Sequence, residues 1–98
     1  MRIDINITSY FICHQTDVLL DGQRVQGCLW ADDQTGEACA FMFTSSDKLV
    51  IGSTGEAETE ILKGKVELIN RARNLPWTQE EFEQYSKDYP RTLKGNKV

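Results

Sequence analysis

The N-terminal stretch alternates apolar and polar residues with a period of two. Ile3, Ile5 and Ile7 occupy the odd positions, and polar residues occupy the positions between them. Because successive side chains of a β-strand point to opposite faces, this alternation predicts a half-buried first strand. The phase slips near Tyr10, where neighbouring odd and even positions are both apolar. We therefore expect a bulge or a bend at that point.

The stretch from Phe11 to Phe43 is typical of three strands joined by two turns. Asp21-Gly22 is a favoured two-residue hairpin pair, and the polar segment 32–36 ends in a glycine. These loop lengths predict which residues lie opposite each other. The predicted pairs are Val18 with Val25, His14 with Leu29, Cys13 with Trp30, Trp30 with Cys39, and Cys28 with Phe41.

This register gives a sheet with two apolar faces. One face carries Phe11, Cys13, Leu19, Cys28, Trp30, Cys39, Phe41 and Phe43. The other carries Ile12, His14, Val18, Leu20, Val25, Leu29, Ala31, Ala38, Ala40 and Met42. A sheet with two apolar faces needs a cover on both, so each face is expected to meet a helix, a second sheet or another subunit.

The segment from Ala57 to Arg73 has two interpretations. Its apolar residues fit a helical stripe, with Glu67 and Arg71 as an i,i+4 pair. They also fit a hairpin that turns at Lys63-Gly64 and sets Ile61 against Val66. A glycine is costly in the middle of a helix and well suited to a tight turn, so the hairpin is favoured.

The segment after Trp77 carries a complete helix-start signal. Thr78 and Glu81 form a capping box, which starts the helix at Gln79, and Trp77 can pack against Phe82 as a hydrophobic staple. Tyr85 and Tyr89 continue the apolar side of this helix, and Pro90 ends it.

These elements predict a small α+β domain over residues 1–90. It consists of an antiparallel meander of about five to seven strands with one C-terminal helix, and a small barrel or sandwich with a peripheral helix is the alternative. Residues 91–98 are basic and almost without apolar side chains, which predicts a flexible tail.

Composition excludes several classes of protein. The chain has 98 residues, 40% of them hydrophobic and 27% charged, and no apolar run reaches the ~18 residues that a membrane span needs. The first residues lack the apolar core of a signal peptide, so we expect a cytoplasmic protein. The net charge of −4 argues against a broad nucleic-acid interface, which requires clustered cations.

The cysteines match no known ligand spacing. Cys13, Cys28 and Cys39 are separated by 15 and 11 residues, which fits neither a Cys-x-x-Cys motif nor a zinc finger. Their predicted common face allows a thiol or metal site, whereas a structural zinc site needs four ligands. Buried cysteine also behaves as a small apolar residue. We expect core cysteines, with no metal or cofactor.

No catalytic constellation is evident in the sequence. His14 is the single histidine, and on a strand it would point away from its neighbour Cys13, so a Cys–His pair is geometrically poor. A Gly-x-Ser-x-Gly elbow is also missing from the sequence. We expect a protein without enzymatic activity.

Aromatic side chains are the best candidates for partner binding. A non-enzymatic interaction or assembly module, working on a protein partner or as a homo-oligomer, fits the apolar sheet, and the small acidic chain suggests a phage or prophage accessory protein in a host cell. The expected contact residues are Trp30, Phe41, Phe43, Trp77, Phe82, Tyr85 and Tyr89. The alternative is single-stranded nucleic acid stacked on the sheet aromatics, with phosphates tracked by Arg24, Lys63, Lys65, Arg71 and Arg73.

Overall fold

The computed structural model describes residues 1–90, which form two antiparallel four-stranded sheets and two helices. In chain order the elements are β1 Arg2–Asp4, α1 Tyr10–His14, β2 Thr16–Leu20, β3 Gln23–Arg24, β4 Cys28–Asp32, β5 Glu37–Phe41, β6 Thr59–Lys63, β7 Val66–Asn70, β8 Leu75–Pro76 and α2 Gln79–Asp88. Sheet A has the strand order β1-β4-β5-β6, and sheet B has the order β3-β2-β7-β8. The predicted α+β class with a C-terminal helix is confirmed. The predicted tail, 91–98, lies outside the described residues.

The two sheets share one core and are not closed into a barrel. Both sheets contribute their inward-facing residues to this core. Helix α1 adds Ile12, and the segment before α2 adds Trp77. The buried cluster consists of Ile3, Ile12, Val18, Ala31, Ala38, Val66, Leu68 and Trp77. The antiparallel strands are thus divided between two sheets, with eight strands in all within residues 1–90 where the sequence predicts about five to seven.

The predicted first strand is correct only at its start. β1 ends at Asp4, whose carbonyl accepts a hydrogen bond from the backbone N–H of Thr8, and Ile5 and Ile7 are exposed. Residues 10–14 then form the short helix α1, in which Ile12 is fully buried. The strand predicted over these residues is wrong, and with it the pairing of Cys13 with Trp30 and of His14 with Leu29.

The hairpin at Asp21-Gly22 is confirmed. Leu20 pairs with Gln23, and both turn residues have positive φ, 52° and 84°, as a type I′ turn requires. Val25 still donates its backbone N–H to Val18 at 2.9 Å. The chain then leaves sheet B, so the next strand, β4, belongs to sheet A.

The register between β4 and β5 is confirmed for Trp30, which pairs with Cys39. A bulge between Cys28 and Trp30 shifts the next pair, so Cys28 lies opposite Ala40 and not opposite Phe41. The shift turns Cys28 toward the core cluster, where its side chain packs.

Residues 57–73 contain two strands, but these strands do not form the predicted hairpin. Ile61 on β6 pairs with Cys39 in sheet A, whereas Val66 on β7 pairs with Leu20 in sheet B. The chain crosses between the sheets at Gly64, whose backbone N–H donates to Gly36 O at 2.9 Å. A Cβ on Gly64 would lie 2.6 Å from Oδ2 of Asp21, so the crossing is packed tightly against the first hairpin.

The start of α2 is confirmed in detail. Thr78 Oγ1 accepts from the backbone N–H of Glu81, and the Glu81 carboxylate accepts from the backbone N–H of Thr78, both at 3.1 Å. Arg73 donates to the same carboxylate at 2.6 Å and, with the Thr78 bonds, holds the pKa of Glu81 below its ordinary value. The Trp77 and Phe82 rings meet edge to face at 6.3 Å.

Replacing Gly36 by alanine should destabilise the fold because two effects add. Gly36 has φ +73°, and a Cβ there would lie 2.6 Å from the carbonyl oxygen of Gly64, a backbone atom. We expect Gly36→Ala to lower the free energy of unfolding by about 2–4 kcal/mol. Gly22→Ala is the matched control, since Gly22 has φ +84° with open space around it, and should cost only about 1 kcal/mol. Urea unfolding measures both, and equal losses would contradict a close-packed crossing.

Candidate interaction surface

The side of sheet A that faces away from the core carries an apolar row. Strand register places Asp4, Trp30, Cys39 and Ile61 side by side across the four strands. The neighbouring residues in the strands, such as Ala31 and Ala38, point into the core, so this row points outward. We call this side the outer face, and its outward positions are Arg2, Asp4, Trp30, Asp32, Glu37, Cys39, Phe41, Thr59, Ile61 and Lys63.

The outer face is more exposed toward the β6 edge. Ile61 is 56% exposed, Trp30 and Phe41 are half-buried, and Cys39 is buried between its neighbours. The guanidinium of Arg2 lies 4.3 Å above the Trp30 ring, a cation–π contact worth about 0.5–1 kcal/mol at such a site. The apolar centre of the outer face thus lies between Trp30, which Arg2 covers, and the exposed Ile61.

Charges of both signs surround this apolar row. Arg2 contacts Asp4 at 3.5 Å, and Lys63 contacts Glu37 at 3.9 Å. These ion pairs are exposed, so each adds at most about 1 kcal/mol to stability. An apolar centre with a charged rim is the usual anatomy of a protein–protein interface.

The predicted contact residues are divided among three places. Trp30 and Phe41 share one face of sheet A, as the predicted register has them, and this face is the outer face. The ring of Phe43 lies beside Gly27 and lines an open cleft of about 320 Å³, together with Leu20 and Leu62. The remaining four predicted residues belong to the segment that docks α2 on the core.

Trp77 and the aromatics of α2 pack within the domain itself. Trp77 is only 6% exposed, and its Nε1 donates to Thr16 Oγ1 at 2.8 Å. The Tyr85 ring lies 5.1 Å from the Trp77 ring, and Phe82 packs beside the same core. Tyr89, at the end of the helix, is 40% exposed, and its ring lies 4.3 Å from the ring of Phe11 in α1, tilted by 37°. Of this group, Tyr89 keeps the most surface for a partner.

Sequence reasoning missed Ile61 and Arg2 as members of the outer face. The predicted hairpin sets Ile61 beside Val66, whereas in the structure Ile61 lies beside Cys39 of sheet A. Arg2 was expected only as a polar residue in the first strand. Residues 59–63 read Thr-Glu-Ile-Leu-Lys, in which two apolar residues stand side by side. The sequence therefore indicates neither the direction of Ile61 nor the strand that lies beside β6.

The three cysteines do not share one face. Cys13 is on α1, Cys28 packs against the core, and Cys39 lies on the outer face. Burial raises the pKa of Cys28 to about 11, and the nearby Cys39 thiol adds to this rise. Across residues 1–90 there is no group of three His, Cys, Asp or Glu side chains that could hold a metal ion.

Most of the cations considered for phosphate binding contact carboxylates. Arg71 donates to Asp17 Oδ1 through both Nε and a terminal nitrogen. The ion pairs of these cations are Arg24 and Arg71 with Asp17, Lys63 with Glu37, and Arg73 with Glu81. Cations engaged in this way offer less charge to a nucleic-acid backbone.

Comparisons of the chain with protein-family models, with curated proteins and with solved structures find no match. Within residues 1–90, neither helix has the length and apolar character that crossing a membrane would require.

Replacing Thr16 by valine should leave a buried donor without its acceptor. Thr16 Oγ1 accepts from Trp77 Nε1 and donates to Ile12 O, so it links β2, α1 and the start of α2. We expect Thr16→Val to lower the free energy of unfolding by about 1–3 kcal/mol. The exposed strand residue Thr59 supplies the control Thr59→Val, which should be nearly neutral. In a Trp77→Phe background the loss at Thr16 should shrink, and an unchanged loss would show that the bond is not the cause.

The thiol of Cys28 should react slowly in the folded protein. Its pKa is raised from 9.0 to about 11 by burial, so the thiolate form is scarce at pH 9. Because folding disfavours the thiolate, stability should fall as pH rises from the unfolded pKa toward the folded one. Alkylation by iodoacetamide, followed by peptide mass spectrometry, should still accelerate above pH 9 in folded protein and level off near pH 9 in urea. The same pH profile in both states would contradict the burial of this thiol.

Proposed function

We propose that this chain is a non-enzymatic protein-interaction or assembly module that docks through the outer face of sheet A. The observation that carries the proposal is the row of Trp30, Cys39 and Ile61 on an outward sheet surface, with Ile61 56% exposed. The strands hold these residues rigidly, and a fixed apolar surface loses little conformational entropy when it binds.

The composition of the face supports a protein partner. Trp and Arg are enriched at interfaces and supply much of the binding energy, and here Arg2 and Trp30 already lie in contact. Three acidic and two basic side chains border the apolar row, namely Asp4, Asp32, Glu37, Arg2 and Lys63, whereas a nucleic-acid surface would be dominated by cations. The mixed rim suits a protein surface of matching charges.

Removing Trp30 should weaken docking without unfolding the domain. We expect Trp30→Ala to lower the affinity for the protein partner, or for a second copy, by at least about tenfold, as at an interface hot spot. Leu75→Ala is the matched control, because Leu75 is 53% exposed on β8 of the other sheet. Light scattering across micromolar to millimolar concentrations measures self-association, and affinity capture with the tagged wild type and both variants measures other partners.

Circular dichroism of each variant verifies that the fold is kept. The proposal fails if the wild type is a monomer at every concentration and captures no protein whose recovery depends on Trp30.

A further inference from the structure

The free edge of sheet A is formed by β6, the longest of the four edge strands. β6 has five residues, whereas β1 has three and the edge strands of sheet B, β3 and β8, have two each. A strand at the edge of a sheet presents unpaired backbone groups that can bind another strand. The short edges offer few such groups, so β6 is the edge best able to accept a partner.

The hydrogen-bond pattern identifies which groups of β6 are open. Gly64 donates to Gly36 O at 2.9 Å and Met42 donates to Glu58 O at 2.9 Å, so the even-numbered residues of this strand bond toward β5. In an antiparallel ladder, hydrogen-bonded and non-hydrogen-bonded pairs alternate. The backbone groups that point away from β5 are therefore those of Thr59, Ile61 and Lys63.

The open edge has a defined beginning. Val50 donates to Met42 O at 3.0 Å, and Glu58 donates to Val50 O at 2.8 Å, so Glu58 is already bonded on its outer side. Met42, Val50 and Glu58 thus close a ring of three backbone hydrogen bonds at one end of β6. The crossing at Gly64 ends the strand on the other side. Only the short segment between these two points can accept a new strand.

The charges along this segment are polarised. Three glutamates, Glu56, Glu58 and Glu60, precede or start β6, and two lysines, Lys63 and Lys65, end or follow it. A second copy of β6 laid antiparallel brings the acidic end of each strand beside the basic end of the other. A parallel copy would bring like charges together. The glutamates at 58 and 60 and the two lysines lie on opposite faces of the strand, so they act through the attraction between neighbouring strand ends and not as directly opposed pairs. Opposite charges at ends that meet favour pairing and like charges oppose it, so this edge is complementary to itself in the antiparallel direction.

One register satisfies the backbone and the side chains together. With a twofold axis at Ile61, the two isoleucines face each other, and Thr59 of each copy faces Lys63 of the other. All three open residues then form hydrogen-bonded pairs, and Glu58 lies opposite Gly64, between the two lysines. Centring the axis on Glu60 would instead set two glutamates face to face. Charged residues on an edge strand disfavour pairing with most other strands. In this register they do not oppose pairing with an antiparallel copy.

We infer that β6 is a self-association edge, through which two copies of this chain pair antiparallel into one continuous eight-stranded sheet. Each copy contributes the four strands of its sheet A. The apolar row of Trp30, Cys39 and Ile61 continues across the axis into the row of the second copy. This inference rests on the proposed interaction function and names its partner, a second copy.

Complementary charge variants test this inference. One variant carries Glu58→Lys and Glu60→Lys and is basic at both ends of the strand; the other carries Lys63→Glu and Lys65→Glu and is acidic at both ends. Each variant alone should self-associate at least about tenfold more weakly than the wild type, because the strand ends that meet then carry charges of the same sign. An equimolar mixture should form a heterodimer, which sedimentation velocity and native mass spectrometry detect.

A matched control changes charge away from this edge. The variant Glu80→Lys with Glu83→Lys changes the net charge by the same amount as Glu58→Lys with Glu60→Lys, but on the exposed side of α2. It should leave self-association unchanged. Ile61→Pro provides a backbone test, because it removes an N–H that points away from β5 and proline is tolerated on an edge strand. It should abolish the dimer while circular dichroism remains that of the folded protein.

Three results would overturn the inference. The first is a wild type that remains monomeric at millimolar concentration, and the second is a mixture of the charge variants that associates no better than each alone. Self-association that is lost in Trp30→Ala but unaffected by the edge variants would also overturn it, while leaving the outer face as the docking surface. The two proposals can therefore fail separately.

Discussion

The crossing of the chain at Gly64 determines the arrangement of the whole domain. The N–H of Gly64 bonds to Gly36 O, and the carboxylate of Asp21 accepts from the backbone N–H of Lys65 at 2.9 Å. Two turns from different sheets thus hold the chain at the point where it passes between them. Because β6 and β7 are pinned to different sheets, they cannot cover each other, and the far side of β6 stays open.

The shared core follows from this separation of the sheets. Alanines at the centre of sheet A, Ala31 and Ala38, lie against the larger Val18 and Leu68 of sheet B in one buried cluster. Small residues opposite large ones allow two sheets to pack closely without voids. Trp77 completes this cluster and, through Thr16, ties the C-terminal helix to it. The apolar residues of the inner faces are buried within the chain, and the apolar surface that sheet A leaves exposed lies on the outer face.

The parts predictable from sequence are those whose causes are local. The Asp21-Gly22 turn, the capping box of Thr78 and the pairing of Trp30 with Cys39 depend on neighbouring residues or on one loop length, and all three are confirmed. The crossing at Gly64 depends on contacts with residues 28 and 43 positions away, which no pattern within 57–73 reveals. Helix α1 was missed because its five residues are too few to show a helical period. The predicted register places Trp30 and Phe41 on one face, which in the structure is the outer face of sheet A, whereas the position of Ile61 depends on the true partner of β6.

The charge pattern around β6 has little role in the stability of one chain. Among the ion pairs of residues 1–90, the segment 56–65 contributes only the contact of Lys63 with Glu37, at 3.9 Å and exposed to solvent. Such a pair adds at most about 1 kcal/mol, and the neighbouring glutamates repel one another. A fold that needed only to hide this edge could use lysines alone, as many edge strands do. This strand is instead acidic at one end and basic at the other, with three open backbone positions between. It is matched to an antiparallel strand that is basic at the first end and acidic at the second, and a copy of itself laid antiparallel has this arrangement.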